Sequence, residues 1–227
     1  MNNLIRLFKQ TRDWLESDEF TSSLANPMER PRYDERAGER AVILCTDVSP
    51  SMDDCDYHPT RLEGAKRAIR RYLDTLVRQE QETLVGIVDF HGEAERVTRP
   101  LPIGSHHSQL LELLMRLHTG PGTNIGAALQ LAGRELARTR SPRNPTVILL
   151  TDGDSNCGPD PVIASEELKG RGIQLDILGI GGSPAEVNER DLKRMASVKN
   201  GQLRYWFIES ADALVEQFEA LALREIS

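Results

Sequence analysis

The chain has 227 residues, of which 39 % are hydrophobic, 28 % charged and 5 % aromatic, and its formal net charge is -7. That composition excludes a disordered or collagen-like chain, and the length suits one α/β domain with a real core and a short appendage. The acidic balance repels phosphate, which argues against a nucleic-acid partner, and no apolar run approaches the ~18 residues of a membrane-spanning helix.

The chain opens with MNNLIRLFKQTRDWLE. Leu4, Ile5, Leu7, Phe8, Trp14 and Leu15 recur at helical spacing, with Arg6, Lys9, Arg12 and Asp13 mostly opposite. This predicts an amphipathic helix in the first 25 residues. The charges interrupt the apolar run and no small-residue cleavage site follows, so a secretory signal is not expected. Such a helix docks back on the domain or holds a partner; its weakly basic polar face argues against a membrane. Residues 26–40 read as a charged linker with two prolines, which sets residues 1–40 apart from a domain over 41–223.

From Ala41 the pattern alternates. AVILCTD (41–47), TLVGIVDF (83–90), TVILLTD (146–152), IQLDILGI (173–180) and LRYWFI (203–208) read as strands, with 95–98 as a short edge strand. Helical periodicity is expected over 61–78, 108–117, 124–138, 161–170, 188–197 and 211–223. The continuous apolar strands, buried on both faces, predict a doubly wound, mostly parallel sheet with helices on both sides. In such sheets ligands bind beyond the carboxyl ends of the strands, at the topological switch point.

Three segments should meet there: Asp47-Val48-Ser49-Pro50-Ser51, Gly120-Pro121-Gly122-Thr123-Asn124 and Thr151-Asp152-Gly153-Asp154. Two carboxylates and three hydroxyls are hard oxygen donors, suited to Mg²⁺. Single residues of this kind often do no more than cap a helix or turn, but five in order at strand ends point to a metal site.

The pattern Asp47-x-Ser49-x-Ser51, then Thr123, then Asp152 resembles the metal-ion-dependent adhesion site of von Willebrand factor A domains. The resemblance covers about residues 41–223, and all five ligand positions carry the family's residue type. Pro50 departs from it, since glycine is frequent there; it stiffens the loop and removes no ligand. The resemblance implies a Rossmann-like, six-stranded sheet with one short antiparallel edge strand. It implies Mg²⁺, or Mn²⁺ or Ca²⁺, on Asp47, Ser49, Ser51, Thr123 and Asp152, with one position open to a partner's Asp or Glu. Asp54, His58, Gly122, Asn124 and Asp154 are expected on the partner-binding rim. For bacterial cytoplasmic members of this type it suggests an AAA+ ATPase or a kinase or phosphatase system as partner. The competing expectation is a metal-dependent phosphoester hydrolase or phosphotransfer enzyme.

Other signals are weaker. Asp152 to Ile163 imitates a calcium loop but has Cys157 at its sixth position and Ile163 at its twelfth. The run Gly179-Ile-Gly181-Gly182-Ser-Pro184 ends in proline where a dinucleotide loop needs glycine. Three cysteines without a CxxC do not make a disulfide framework, which suits a reducing cytoplasm. Cys45 belongs in the core. Cys55 and Cys157 fall in loops beside the expected site, as two reduced thiols, a redox pair or a zinc site with His58. Asp53, Asp54 and Asp56 read as a solvated acidic run or as a modulator of the metal.

Overall fold

The computed structural model describes residues 40–79, 83–139 and 142–224, all within the unit spanning residues 33–227. The expected N-terminal helix and all of its linker but Arg40 lie outside the described residues. The elements run β1 (Arg40–Asp47), α1 (Arg61–Arg78), β2 (Thr83–Phe90), β3 (Ala94–Pro102), α2 (Ile103–Met115), α3 (Ile125–Arg138), β4 (Arg143–Thr151), α4 (Pro161–Gly170), β5 (Gln174–Ile180), α5 (Glu189–Met195), β6 (Val198–Lys199), β7 (Gln202–Leu203), β8 (Tyr205–Ile208) and α6 (Ala211–Arg224).

The main sheet has the order β3-β2-β1-β4-β5-β8. Every pair is parallel except β2 with β3. This is the doubly wound architecture expected from the strand–helix alternation. The period-two geometry of β1 explains it locally. Val42 and Leu44 point into one core layer with Leu62, Ile69, Leu73, Leu110, Leu214 and Phe218. Ala41, Ile43 and Cys45 point into the other, with Ala128, Leu129, Ala132, Leu168, Leu192 and Met195. Both faces are therefore apolar and both need helices. Each fully buried Leu, Ile or Val contributes roughly 1.5–3 kcal/mol.

The helix α1 starts at a threonine N-cap. The Thr60 hydroxyl accepts the Glu63 amide at 3.2 Å, satisfying one of the free donors of the first turn. Its apolar stripe packs against α6, with the Tyr72 and Phe218 rings edge-on at 5.8 Å.

Several boundaries differ from expectation, three of them instructively. The edge strand β3 runs over Ala94–Pro102, well beyond 95–98. Its prolines are tolerated because an edge strand leaves one row of amides unpaired. The register shifts opposite Gly86, where a Cβ would lie 3.2 Å from the Pro100 nitrogen. The helix α2 begins at Ile103, directly after β3; Ile103, Leu110 and Leu114 form its buried stripe, and the intervening Gly-Ser-His-His obscures that spacing. Residues 203–208 do not form one strand. Leu203 belongs to a two-residue hairpin with Val198 and Lys199, turned by Asn200 and Gly201 at φ 52° and 74°. That is the Asn-Gly hairpin signal.

Arg204, at the break, carries the outer edge of the sheet. Its Nε and Nη2 donate to the two oxygens of Asp176 at 2.9 and 2.6 Å. Gln174 adds a third donor at 2.8 Å, and the guanidinium lies 4.7 Å from the centre of the Trp206 ring. Asp176 is fully buried. Removing one member of a buried pair strands the other charge, which costs about 3–5 kcal/mol, whereas apolar replacement of both is often neutral. Arg204→Met should therefore lower the urea-unfolding free energy by about that amount, and adding Asp176→Leu should restore most of it. A loss under ~1 kcal/mol in the single variant would contradict this account of the edge.

Candidate functional site

In the observed strand order, β1 has β2 on one side and β4 on the other. The chain builds outward from β1 to β3, then crosses to β4 and builds the other way. The switch point therefore lies between β1 and β4, and the carboxyl ends of these strands carry Asp47 and Asp152.

Asp47 is the last residue of β1 and fully buried. One oxygen accepts the Ser49 amide at 2.8 Å; the other accepts the Thr151 hydroxyl at 2.6 Å. This carboxylate thus shapes the loop after β1 and ties it to the end of β4. A single 3₁₀ turn follows over Pro50–Asp53; the fixed φ of proline suits its first position, and Met52 anchors it in the core. The turn brings Ser49 Oγ within 3.1 Å of Ser51 Oγ. Ser51 Oγ in turn donates to Asp152 Oδ1 at 2.9 Å. Four of the five expected ligands are therefore joined in one partly buried hydrogen-bonded group.

The fifth, Thr123, arrives on a loop fastened from three sides. The Gly120 amide donates to the Val48 carbonyl at 2.7 Å. The Gly92 amide donates to the Pro121 carbonyl at 2.7 Å. Thr123 and Asn156 exchange bonds, with the Thr123 amide on Asn156 Oδ1 at 3.0 Å and the Asn156 amide on the Thr123 carbonyl at 2.9 Å. Gly122 holds φ 82°, which a side chain would disfavour. Asn124 is buried rather than on a rim. Its side-chain oxygen caps α3 through the Ala127 amide at 3.0 Å, and its nitrogen donates to the Gly92 carbonyl at 3.1 Å. Asp54, His58 and Asp154 are exposed.

Sequence reasoning missed Arg61, the first residue of α1. Its side chain is nearly buried, yet it meets four carboxylates. Nη1 lies 2.9 Å from Asp152 Oδ2 and 3.6 Å from Asp54; Nη2 lies 2.7 Å from Asp56 and 3.0 Å from Glu186. The available signal was a cation in the first turn of a helix, where the dipole disfavours it, directly after an acidic run. Thr151 and Asn156 were also missed as positioning residues. The acidic run is more organised than a solvated loop: Arg61 holds Asp54 and Asp56, and Asp53 accepts the Thr119 hydroxyl at 2.8 Å.

The electrostatics follow from burial. Desolvation, and then the charge of Asp152, push the Asp47 carboxyl up to about 7 against the bonds from Thr151 and Ser49. Burial also raises Asp152, opposed by Arg61 and Ser51. Two adjacent carboxylates that resist ionising together are relieved by a cation.

The donor set fits a hard divalent ion. The O···O separations of 3.1 and 2.9 Å along Ser49–Ser51–Asp152 are close to the ~3.0 Å edge of an octahedron with ~2.1 Å bonds (~2.1 × √2), a spacing that also serves hydrogen bonding. Among the described residues no three His, Cys, Asp or Glu side chains form a metal-binding group, so a cation here must draw on hydroxyls. Cys45 is buried in the core, and Cys55 and Cys157 are exposed free thiols. No described helix is long and apolar enough to cross a membrane.

Comparison with known proteins agrees with this architecture. Complement C2 of Bos taurus is 27 % identical over 208 residues, covering 82 % of this chain; the chain spans only 27 % of that protein's length. A von Willebrand factor type A structure from Catenulispora acidiphila superposes with a TM-score of 0.69 at 26 % identity, covering 82 % of this chain and 42 % of its own. Proximal thread matrix protein 1 from the mussel byssus, with a zinc-occupied metal-ion-dependent adhesion site, shares the fold with a TM-score of 0.65 at 20 % identity, covering 81 % of this chain and 47 % of its own. The model of the von Willebrand factor type A domain matches residues 42–155, and the chain belongs to that family.

Proposed function

We propose that this domain binds a protein partner through a divalent cation held by Asp47, Ser49, Ser51, Thr123 and Asp152. Mg²⁺ is the expected ion, with Mn²⁺ or Ca²⁺ as substitutes, and one coordination position takes an Asp or Glu of the partner. The observation that carries this reading is the partly buried Ser49–Ser51–Asp152 chain beside the fully buried Asp47 at the switch point of the sheet. The hydroxyls of Ser49, Ser51 and Thr123 would hold it directly or through water, and the carboxylates of Asp47 and Asp152 would anchor it and supply charge. Asp54, His58, Gly122 and Asp154 form the rim that reads the partner, and Asn124 acts on it by holding the Thr123 loop. Membership of a family of protein-interaction domains supports a binding role. We place the protein in the cytoplasm, as an adaptor or regulator of an AAA+ ATPase or of a kinase or phosphatase system.

Thr123 reaches the site only while its loop is clamped. Gly158 sits at φ 79° against Asn124, where an added Cβ would lie 2.1 Å from Asn124 Oδ1. Backbone strain and a displaced cap should together cost about 1–3 kcal/mol in Gly158→Ala. Urea unfolding should show that loss, and calorimetric titration should show Mg²⁺ affinity reduced by about tenfold.

The decisive measurement is capture of partners from extract of the native cell on the full chain in Mg²⁺, in EDTA and with Asp152→Ala. A partner should be retained only by the wild type in Mg²⁺; equal retention in all three would refute the metal bridge. Turnover of a phosphoester by the wild type, abolished by Asp47→Ala, would favour the enzyme instead.

A further inference from the structure

We infer that Arg61 is a built-in counter-ion of the metal site, one that neutralises Asp152 in the absence of a cation and thereby weakens cation binding while keeping the domain folded without metal. The inference rests on the metal-site reading above and adds a control on its affinity.

The argument begins with burial. Asp152 is 3 % exposed and Arg61 is 6 % exposed. A buried carboxylate needs a partner of opposite charge, because desolvation penalises it strongly. The Arg61 guanidinium supplies one at 2.9 Å. The two oxygens of Asp152 are thus divided: Oδ1 faces Ser51 and the ligand group, and Oδ2 faces Arg61.

The guanidinium is held in place independently of Asp152. Its Nε bonds both Asp56 oxygens at 2.9 and 3.1 Å, and its Nη2 bonds Asp56 and Glu186. Glu186 is itself fixed by the Gly182 amide at 3.0 Å. A planar fork with separate donors can serve these partners together; an ammonium is a point charge and cannot. The helix dipole opposes a cation at the first residue of α1, so these carboxylates are what stabilise it there. A divalent ion entering beside Asp152 therefore meets a fixed positive charge a few ångströms away.

The test uses the full chain as wild type, Arg61→Gln and Arg61→Lys. Mg²⁺ affinity is read by calorimetric titration, and thermal unfolding is followed in EDTA and in saturating Mg²⁺. Removing a unit charge this close should tighten Mg²⁺ binding about tenfold or more in Arg61→Gln. The same variant should melt lower in EDTA and gain more from Mg²⁺ than the wild type does. Arg61→Lys, which keeps the charge but not the fork that holds it in place, should fall between the wild type and Arg61→Gln in affinity. A folded Arg61→Gln with equal or weaker Mg²⁺ binding would overturn the inference, as would Arg61→Lys binding as tightly as Arg61→Gln. Wild type that binds no Mg²⁺ would overturn the metal site itself. An Arg61→Gln protein that folds only with Mg²⁺ supports the inference. If it folds in neither condition, Glu186→Gln decides: freeing Arg61 of one partner should weaken Mg²⁺ binding several-fold, and unchanged affinity would count against the counter-ion.

Discussion

Two carboxylates, Asp47 and Asp152, stand almost without solvent at the ends of adjacent strands, and the surrounding structure answers the problem they pose. Neither can be buried alone at acceptable cost. Asp47 is answered by neutral donors, the Ser49 amide and the Thr151 hydroxyl. Asp152 is answered by Ser51 on one oxygen and by Arg61 on the other. The loop after β1, the end of β4 and the start of α1 are therefore fastened to one another by polar contacts, in addition to the packing of Val48, Met52 and Leu62. These are also the segments that must be placed most accurately if oxygens are to surround a cation.

The rigidity beneath them is apolar. β1 sends alternate side chains into two separate core layers, so it cannot shift without disturbing both. A central strand held in this way is a firm base for a site at its tip. The third loop is held differently. It lies at a helix start, where Asn124 caps α3 and Asn156 pairs with Thr123 backbone to backbone and backbone to side chain. One ligand group thus hangs on a strand, another on a strand end, and the third on a capped turn.

Much of this was legible in the chain. The apolar runs after Ala41 marked strands buried on both faces, and Asp47, Ser49, Ser51, Thr123 and Asp152 were identifiable as oxygen donors at strand ends. The hidden parts were those whose signal depends on partners distant in sequence. Arg61 reads as an ordinary surface cation until Asp152, 91 positions away, is placed against it. Glu186 carried no signal at all. The prolines of β3 argued against a strand, and only its position at the sheet edge admits them. Leu203 looked continuous with Tyr205 because both are apolar, although the preceding Asn-Gly had already marked a hairpin.

The sequence by itself determined the doubly wound class, because continuous apolar runs alternating with amphipathic helices allow few other ways to bury both faces of each strand. It also determined the chemistry available at the strand ends, since residue type sets donor hardness. The tertiary structure alone decided which charges oppose one another. Electrostatic pairing depends on distance through space and on local burial, and neither can be read along the chain. That is why Asp54 and Asp56 became partners of one guanidinium, and why Asp152 acquired a cation of the protein's own.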